Sequence, residues 1–577
     1  MKTIILHFAQ LALVTLSSMA FGPRAVAQTT PAWVSVSNTG EYFSYNRGNL
    51  HLATDPAGNV YELGMFSVAA NVGHTYLRSQ GSFDGYLGKY NPDGTAAWVR
   101  QFGSTDQDGA DDVAFDAAGN AYVVGSFTHR INLGNGQTLD AGTDPGRKIF
   151  LIKYDPAGNP LWAQQSDSYP GTMLPTCPPV ANSLGVQVDG AGHVNVTCVY
   201  SFATGFGFGG LRATASAAPN SNALATVYMA RFSAATGTPQ SLFPLLYSTA
   251  ANGNGLIYAQ KLLTAPDGGT YLVANYVTAL SFTSGLALPA PTSPDMLVAK
   301  YNAAGQVEWA RTFGGPNWDE MTGAAIDAAG NVYVSGSFRG SLSFGTTTLP
   351  GAGAEDGYVV KYSSQGNPQW ARSLAGPGAD LFRGVCADPA GNVYVTGSAS
   401  SNAQFGTRTF TSAGKLDMVV AAYTSQGVLS WVQQASSAED DEGFSLGFTA
   451  QGRLRVFGYA GRGATFGAIQ SGISSNWIGV MAELAASPQT PLPVVDAQSP
   501  DGKTFDLYPN PATTEVHLKG IPAGARVQVL DALGRIVRET AISTASQVSV
   551  RGLAPGLYTL RATDAQGQRY AARVSVE

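Results

Sequence analysis

The sequence predicts an all-β protein, and three observations carry that expectation. Only 12% of the 577 residues are charged, while glycine (69 residues) and aromatic residues are plentiful, the usage of many short strands joined by tight turns. Nearly the same twelve residues recur as DAAGNAYVVGSF (116–127), DAAGNVYVSGSF (327–338) and DPAGNVYVTGSA (388–399). The last part of the chain alternates apolar and polar residues in EVHLKG, RVQVLD and YTLRAT, the period of half-buried strands. The length asks for at least two cores, and a net charge of −6 gives no basic footprint for nucleic acid.

In chain order, the first segment is MKTIILHFAQLALVTLSSMAFGPRAVAQ. Lys2, a mostly apolar stretch over 4–21 and the small residues Ala25-Val26-Ala27 predict a signal peptide over 1–27, cut between Ala27 and Gln28. Gln10 and two serines interrupt the run short of the ~20 apolar residues of an anchor. No later stretch is long and apolar enough to span a bilayer, so an exported protein is expected. Export permits disulfides, but three cysteines are too few for a disulfide scaffold. Cys386, in GVCAD, reads as a buried thiol. Cys177 and Cys198 flank one repeat, and their pairing stays open.

The body is a repeat. The first residue of each D-x-x-G-N-x-Y phrase falls at Asp55, Asp116, Asp189, Ala265, Asp327, Asp388 and Thr449, giving seven units. A Lys-Tyr pair or its relic follows at Tyr90, Tyr154, Tyr301, Tyr362, Tyr423 and Leu484, with Phe232 in the longer third unit. Tryptophan comes eight residues later at Trp98, Trp162, Trp309, Trp370 and Trp431. Each unit predicts four strands, as in TGAAID, VYVSGSF, GYVVKY and PQWARSL, with D-x-x-G-N as the first turn, where Gly and Asn accommodate positive φ. Side chains grade from Ala, Gly and Val in the first strand to Trp in the fourth, as wedge-shaped blades around an axis require. PAWVSVS (31–37) has no unit before it, and the seventh unit lacks a tryptophan strand. The expectation is therefore a seven-bladed β-propeller over 28–486, closed by the N-terminal strand, which removes an open edge.

The unit GNVYVSGSF…DGYVVKYSSQGNPQWARSL resembles the bacterial SBBP-type β-propeller repeat, and its strand order is similar to that of NHL-repeat propellers. The resemblance implies architecture; such folds carry many functions.

From Ala485 the text turns Pro-rich and aperiodic, a linker over 487–503. Segments 505–520, 525–539, 548–562 and 568–577, with turn signals at Asp531–Gly534 and Ala554–Gly556, predict a small Ig-like β-sandwich over 504–577. This tail resembles the type A C-terminal sorting domain of the type IX secretion system. The matching landmarks are Pro509, Asn510 and Pro511, then Gly534 and Arg535, then Leu553, Gly556, Leu557 and Tyr558. The resemblance implies partnership with that secretion machinery and export across both membranes of a Gram-negative bacterium to the surface or medium. It also implies removal of the tail by a sortase-like peptidase and joining to lipopolysaccharide in many cargoes.

Catalytic signatures are sparse. No His-x-x-x-His, Cys-x-x-Cys or phosphate-cradling sequence occurs. Asp108, Asp319, Asp380 and Asp441 recur eight residues before the marker, and Asp84, Asp295, Asp356 and Asp417 six before the tyrosine. Recurrence in successive units predicts loop capping or contact between blades rather than catalysis. Asp106, Asp108, Asp111 and Asp112 loosely resemble a calcium loop but lack its alternation and closing glutamate. No cofactor is expected, calcium at this cluster being the one candidate. The insertions 166–183 and 201–226, with Phe344-Gly345, Phe405-Gly406 and Phe466-Gly467, which predict small extra hairpins, place any binding at the face where loops enter the first strand and leave the second. The reading is a non-enzymatic binding or adhesion scaffold for an extracellular partner such as a polysaccharide or envelope protein. The alternative is a glycan-active hydrolase or lyase with its site in the loops of blades two to four.

Overall fold

The computed structural model describes residues 30–41, 51–91, 95–142, 147–167, 185–201, 206–213, 225–248, 257–449, 452–473, 478–485, 503–504, 506–508, 512–522, 524–530, 536–542, 547–553, 556–564 and 569–576. The signal segment with its Ala27–Gln28 junction, Cys177, most of both long insertions and all of the linker but Lys503 lie outside them. The chain divides into two compact units, Met1–Ser487 and Pro488–Glu577. Every named element is a β-strand.

In the first unit each repeat folds into an antiparallel sheet with its strands in chain order. The fifth repeat gives Glu320–Ile326, Val332–Phe338, Asp356–Tyr362 and Pro368–Ala375. Among the described residues seven such sheets follow one another. Six take all four strands from their own repeat. The seventh combines Glu442–Phe448, Leu454–Ala460 and Ile478–Leu484 with Trp33–Glu41 from the start of the chain, Val36 lying opposite Ala482. The Trp33 indole packs edge-on against Phe466 at 5.2 Å and donates to the Gln434 carbonyl of the sixth sheet at 3.0 Å.

The cores lie between successive sheets. Tyr61, Leu63 and Leu87 of the first sheet share a cluster with Val123, Phe150 and Ile152 of the second. Val60, Phe66 and Tyr86 of the first share another with Phe444, Phe457 and Met481 of the seventh. The middle strands are therefore covered on both faces; Val332–Phe338 and Asp356–Tyr362 are buried throughout. Strands covered on both faces read as continuous apolar runs.

The repeated phrase latches its turn to the next sheet through Tyr333, whose hydroxyl donates to the Gly391 carbonyl at 3.3 Å. Gly330 donates to the Asp327 carbonyl at 3.0 Å and has φ of 81°, a tight turn ended by a left-handed residue that glycine adopts without a Cβ clash. Asn331 is not in that conformation: its amide side chain donates to Asp327 at 2.7 Å. Asp327 also accepts from the Ala329 and Asn331 amides at 2.9 Å and from the Tyr333 hydroxyl at 2.8 Å. The expectation that Asn serves the turn by tolerating positive φ is thus corrected, because Asn is the clasp that holds the carboxylate.

Tryptophan and the arginine two residues beyond it complete the latch. Trp370 donates to the Ser425 carbonyl at 3.0 Å and Arg372 to the Gly427 carbonyl at 2.6 Å, both in the second turn of the next sheet. Trp98 with Arg100 and Trp309 with Arg311 do the same one and four sheets in. The glycine of that turn lies flat on the indole, so a Cβ on Gly427 would sit 2.7 Å from Trp370.

Two further features recur. A short hairpin follows the second strand in all seven repeats, not only at the three Phe-Gly sites expected. Leu280–Phe282, Gln404–Phe405 and Thr465–Phe466 pair with the fourth strand of the preceding sheet, and Phe344, Phe405 and Phe466 are buried as plugs. The recurrent aspartates cap the loops that flank their strands. Asp441 accepts from the Ser437 and Gly461 amides at 2.5 and 2.7 Å, and Asp356 from Ala352 and Gly376 at 2.8 and 3.1 Å.

The second unit has two sheets. One orders Lys503–Thr504, Arg569–Val576, Gly556–Thr563, Arg526–Leu530 and Ile536–Ala541; the other orders Asp506–Tyr508, Glu515–Lys519 and Gln547–Ser549. They share one core, including Val516, Val527, Leu560 and Val574. Segment 505–520 forms two strands that pair with each other, since prolines 509 and 511 cannot continue a ladder. Tyr558 is in the core and Leu553 packs against it. Gly556 and Leu557 begin a strand, whereas Pro509, Asn510, Pro511, Gly534 and Arg535 lie outside the described residues.

Candidate functional site

The first strands enclose a cavity of about 450 Å3, lined by segments of all seven sheets, among them Ala53, Val113, Val186, Leu262, Ala324, Val385 and Leu446. Neighbouring first strands are tied together around it. Ser445 donates to the Leu52 carbonyl at 3.3 Å, Thr264 to Val188 at 3.1 Å and Thr322 to Phe382 at 2.6 Å.

Asp112, Lys261 and Arg383 bring charge to this mixed lining. Lys261 pairs with Asp112 at 2.7 Å, and Asp112 also accepts from the Val186 amide at 3.0 Å, so three sheets meet at one carboxylate. Arg383 pairs with Glu442 at 2.6 Å, and Glu442 accepts from the Tyr459 hydroxyl at 2.9 Å. Burial works against the Arg383 charge, but Glu442 and Glu320 outweigh it and hold the guanidinium pKa up. Burial pushes the Glu320 carboxyl up against the opposing pull of Arg383. Such a wall can bind a polar group by exchanging one ion-pair partner for a ligand atom, and the low local dielectric strengthens that contact.

The acidic cluster of the second repeat does not converge. Asp112 faces Lys261, Asp108 accepts from the Thr128 amide at 2.9 Å and from the Ser104 amide, and Asp106 is exposed. Among the described residues no group of three or more His, Cys, Asp or Glu side chains is placed to hold a metal. His193 takes the place of the turn asparagine, its Nδ1 2.9 Å from Asp189. Cys198 is buried and unbridged, and its partner candidate Cys177 is not described. Burial pushes the Cys198 and Cys386 thiols well up, which disfavours the thiolate form.

The sequence reading missed Lys261, Glu320, Arg383 and Glu442. A signal was present: each is the only charged residue of its first strand, as in LFRGVCA.

Comparison with known proteins bears on both units. The secretion system C-terminal sorting domain matches residues 506–577, and a β-propeller repeat of the SBBP type matches residues 369–402. No curated relative matches the sequence. Among solved structures, the Dos1 propeller aligns with 79% of this chain and 96% of its own at 10% identity and TM-score 0.38. PorZ, a bacterial surface component of the type IX secretion system of Porphyromonas gingivalis, aligns with 92% and 70% at 11% identity and TM-score 0.25. An α-L-arabinofuranosidase of Fusarium graminearum aligns with 78% and 97% at 10% identity and TM-score 0.32. The chain thus carries an SBBP-type repeat and a type IX sorting tail, and the tail marks it for export to the cell surface or medium. Among the described residues no helix is long and apolar enough to cross a membrane.

Proposed function

We propose that the chain is an exported, non-enzymatic seven-bladed β-propeller that binds an extracellular partner, a polysaccharide or envelope protein. The partner meets the face where loops enter the first strands, above the Asp112–Lys261 and Arg383–Glu442 pairs. The Ig-like sandwich of 504–577 is the part handled by the secretion machinery, after a signal peptide cut between Ala27 and Gln28. Closure of the ring is supported by the pairing of Trp33–Glu41 with Ile478–Leu484 and by the core shared between first and seventh sheets.

The observation that carries this reading is the sorting-tail match over 506–577 on a body of propeller-type repeats. A binding role is favoured over turnover because the recurrent carboxylates and aromatics are engaged in holding turns and loops and in joining sheets, as Asp327, Asp441 and Trp370 show by their partners. Two experiments test it. A chain lacking 505–577 is expected to stay in the periplasm, and its appearance at the surface would refute the sorting role. The secreted protein is expected to bind a polysaccharide or envelope extract saturably without releasing product, with Arg383→Ala weakening binding; product release would establish the glycan-active alternative.

A further inference from the structure

The junction between the fourth and fifth sheets breaks the repeat in three places. The marker aspartate is Ala265, Asp267 stands where other units carry Ala57, Ala118, Ala329 or Ala390, and Glu308 precedes the tryptophan where other units have Ala97, Leu161, Gln369 or Ser430. Elsewhere the lysine of the third strand donates to a carbonyl of the next sheet: Lys89 to Pro156 at 3.0 Å, Lys153 to Ala234 at 2.9 Å and Lys361 to Ser425 at 3.1 Å. Lys300 turns instead to Asp267 and to Glu308, the latter at 3.0 Å. Beside this triad opens a cavity of about 350 Å3, within the range of small-ligand sites, about 300–1,000 Å3.

Asp267 can be read as the counter-ion that replaces the missing marker carboxylate, but that leaves Glu308 as a second negative charge with no counterpart in other units. Both carboxylates are open to solvent, their side chains 56% and 42% exposed, while Lys300 is 10% exposed. The wall thus presents acceptor, donor and acceptor in sequence, with Tyr271 and Trp309 behind it and Gln365 on the facing turn. A cation entering here meets Lys300, and an anion meets two carboxylates. A hydroxyl both donates and accepts and satisfies all three groups. We propose that this junction is a binding site for a neutral saccharide, whose adjacent hydroxyls bridge Asp267, Lys300 and Glu308. The site is independent of the loop-face reading above.

The test uses the full chain on an array presenting neutral, uronic-acid and amino-sugar glycans, followed by titration of the retained saccharide. Neutral glycans are expected to bind, Glu308→Gln to weaken them at least tenfold, and Ala329→Trp, an exposed lining position, to block them, with melting temperatures unchanged. Retention of charged glycans alone, no retention at all, or affinity indifferent to both variants overturns the proposal. Loss on Arg383→Ala with Glu308→Gln silent also overturns it and assigns binding to the cavity lined by Arg383 instead.

Discussion

Asp319 shows how single residues make the first unit sensitive to pH. Its carboxyl is fully buried, Oδ2 has no partner, and burial, with Asp295 beside it, pushes its pKa up to about 7. Burial likewise raises Asp295, Asp380 and Asp441 to about 6. These folded-state values exceed the unfolded value near 3.9, so the folded form holds the proton more tightly. Their contribution to stability is complete below about pH 4 and is lost as pH rises through 6 to 7. Asp116, Asp155 and Asp327 have the opposite sign: hydrogen bonds from their turns outweigh burial and hold them below the usual range, so their contribution disappears in acid. Melting followed from pH 4 to 8 should peak near pH 5 and fall by several degrees toward pH 8, with Asp319→Asn flattening the alkaline side. A melting temperature that rises steadily to pH 8 would contradict this assignment. Asp327→Ala removes four hydrogen bonds from one turn and should cost about 2–3 kcal/mol in urea unfolding.

The elements that join sheets make the strongest energetic claim. Trp370 is 8% exposed, donates across the junction and carries Gly427 flat on its ring. Trp370→Ala should destabilise the first unit by about 3–5 kcal/mol. Gly427→Ala, at φ of 75° and against the same ring, should cost at least about 1 kcal/mol; a neutral Gly427→Ala would mean the turn does not rest on the indole. Much of this level was legible in the sequence. The D-x-x-G-N, Lys-Tyr and Trp spacings located the strands because each marks a contact required once per sheet. The short hairpins were legible only at Phe344, Phe405 and Phe466, since elements of two to five residues carry no resolvable period. The charged lining was hidden for another reason: Lys261 and Arg383 sit alone in their strands, and their partners Asp112 and Glu442 are distant in sequence.

For the whole molecule, the repeat count and the unmatched segment PAWVSVS were readable because an unpaired edge strand is a liability. Ligand choice was not, because it resides in groups that depart from the repeat. The central claim is that the start of the chain supplies the last strand of the seventh sheet and thereby joins it to the first. Val36 and Ala482 lie directly opposite each other in that pairing, a separation that two cysteines can bridge with slight adjustment. Val36→Cys combined with Ala482→Cys should form a disulfide in mild oxidant without loss of fold and raise the melting temperature of the first unit. Free thiols at both positions in the folded, oxidised protein would contradict the account.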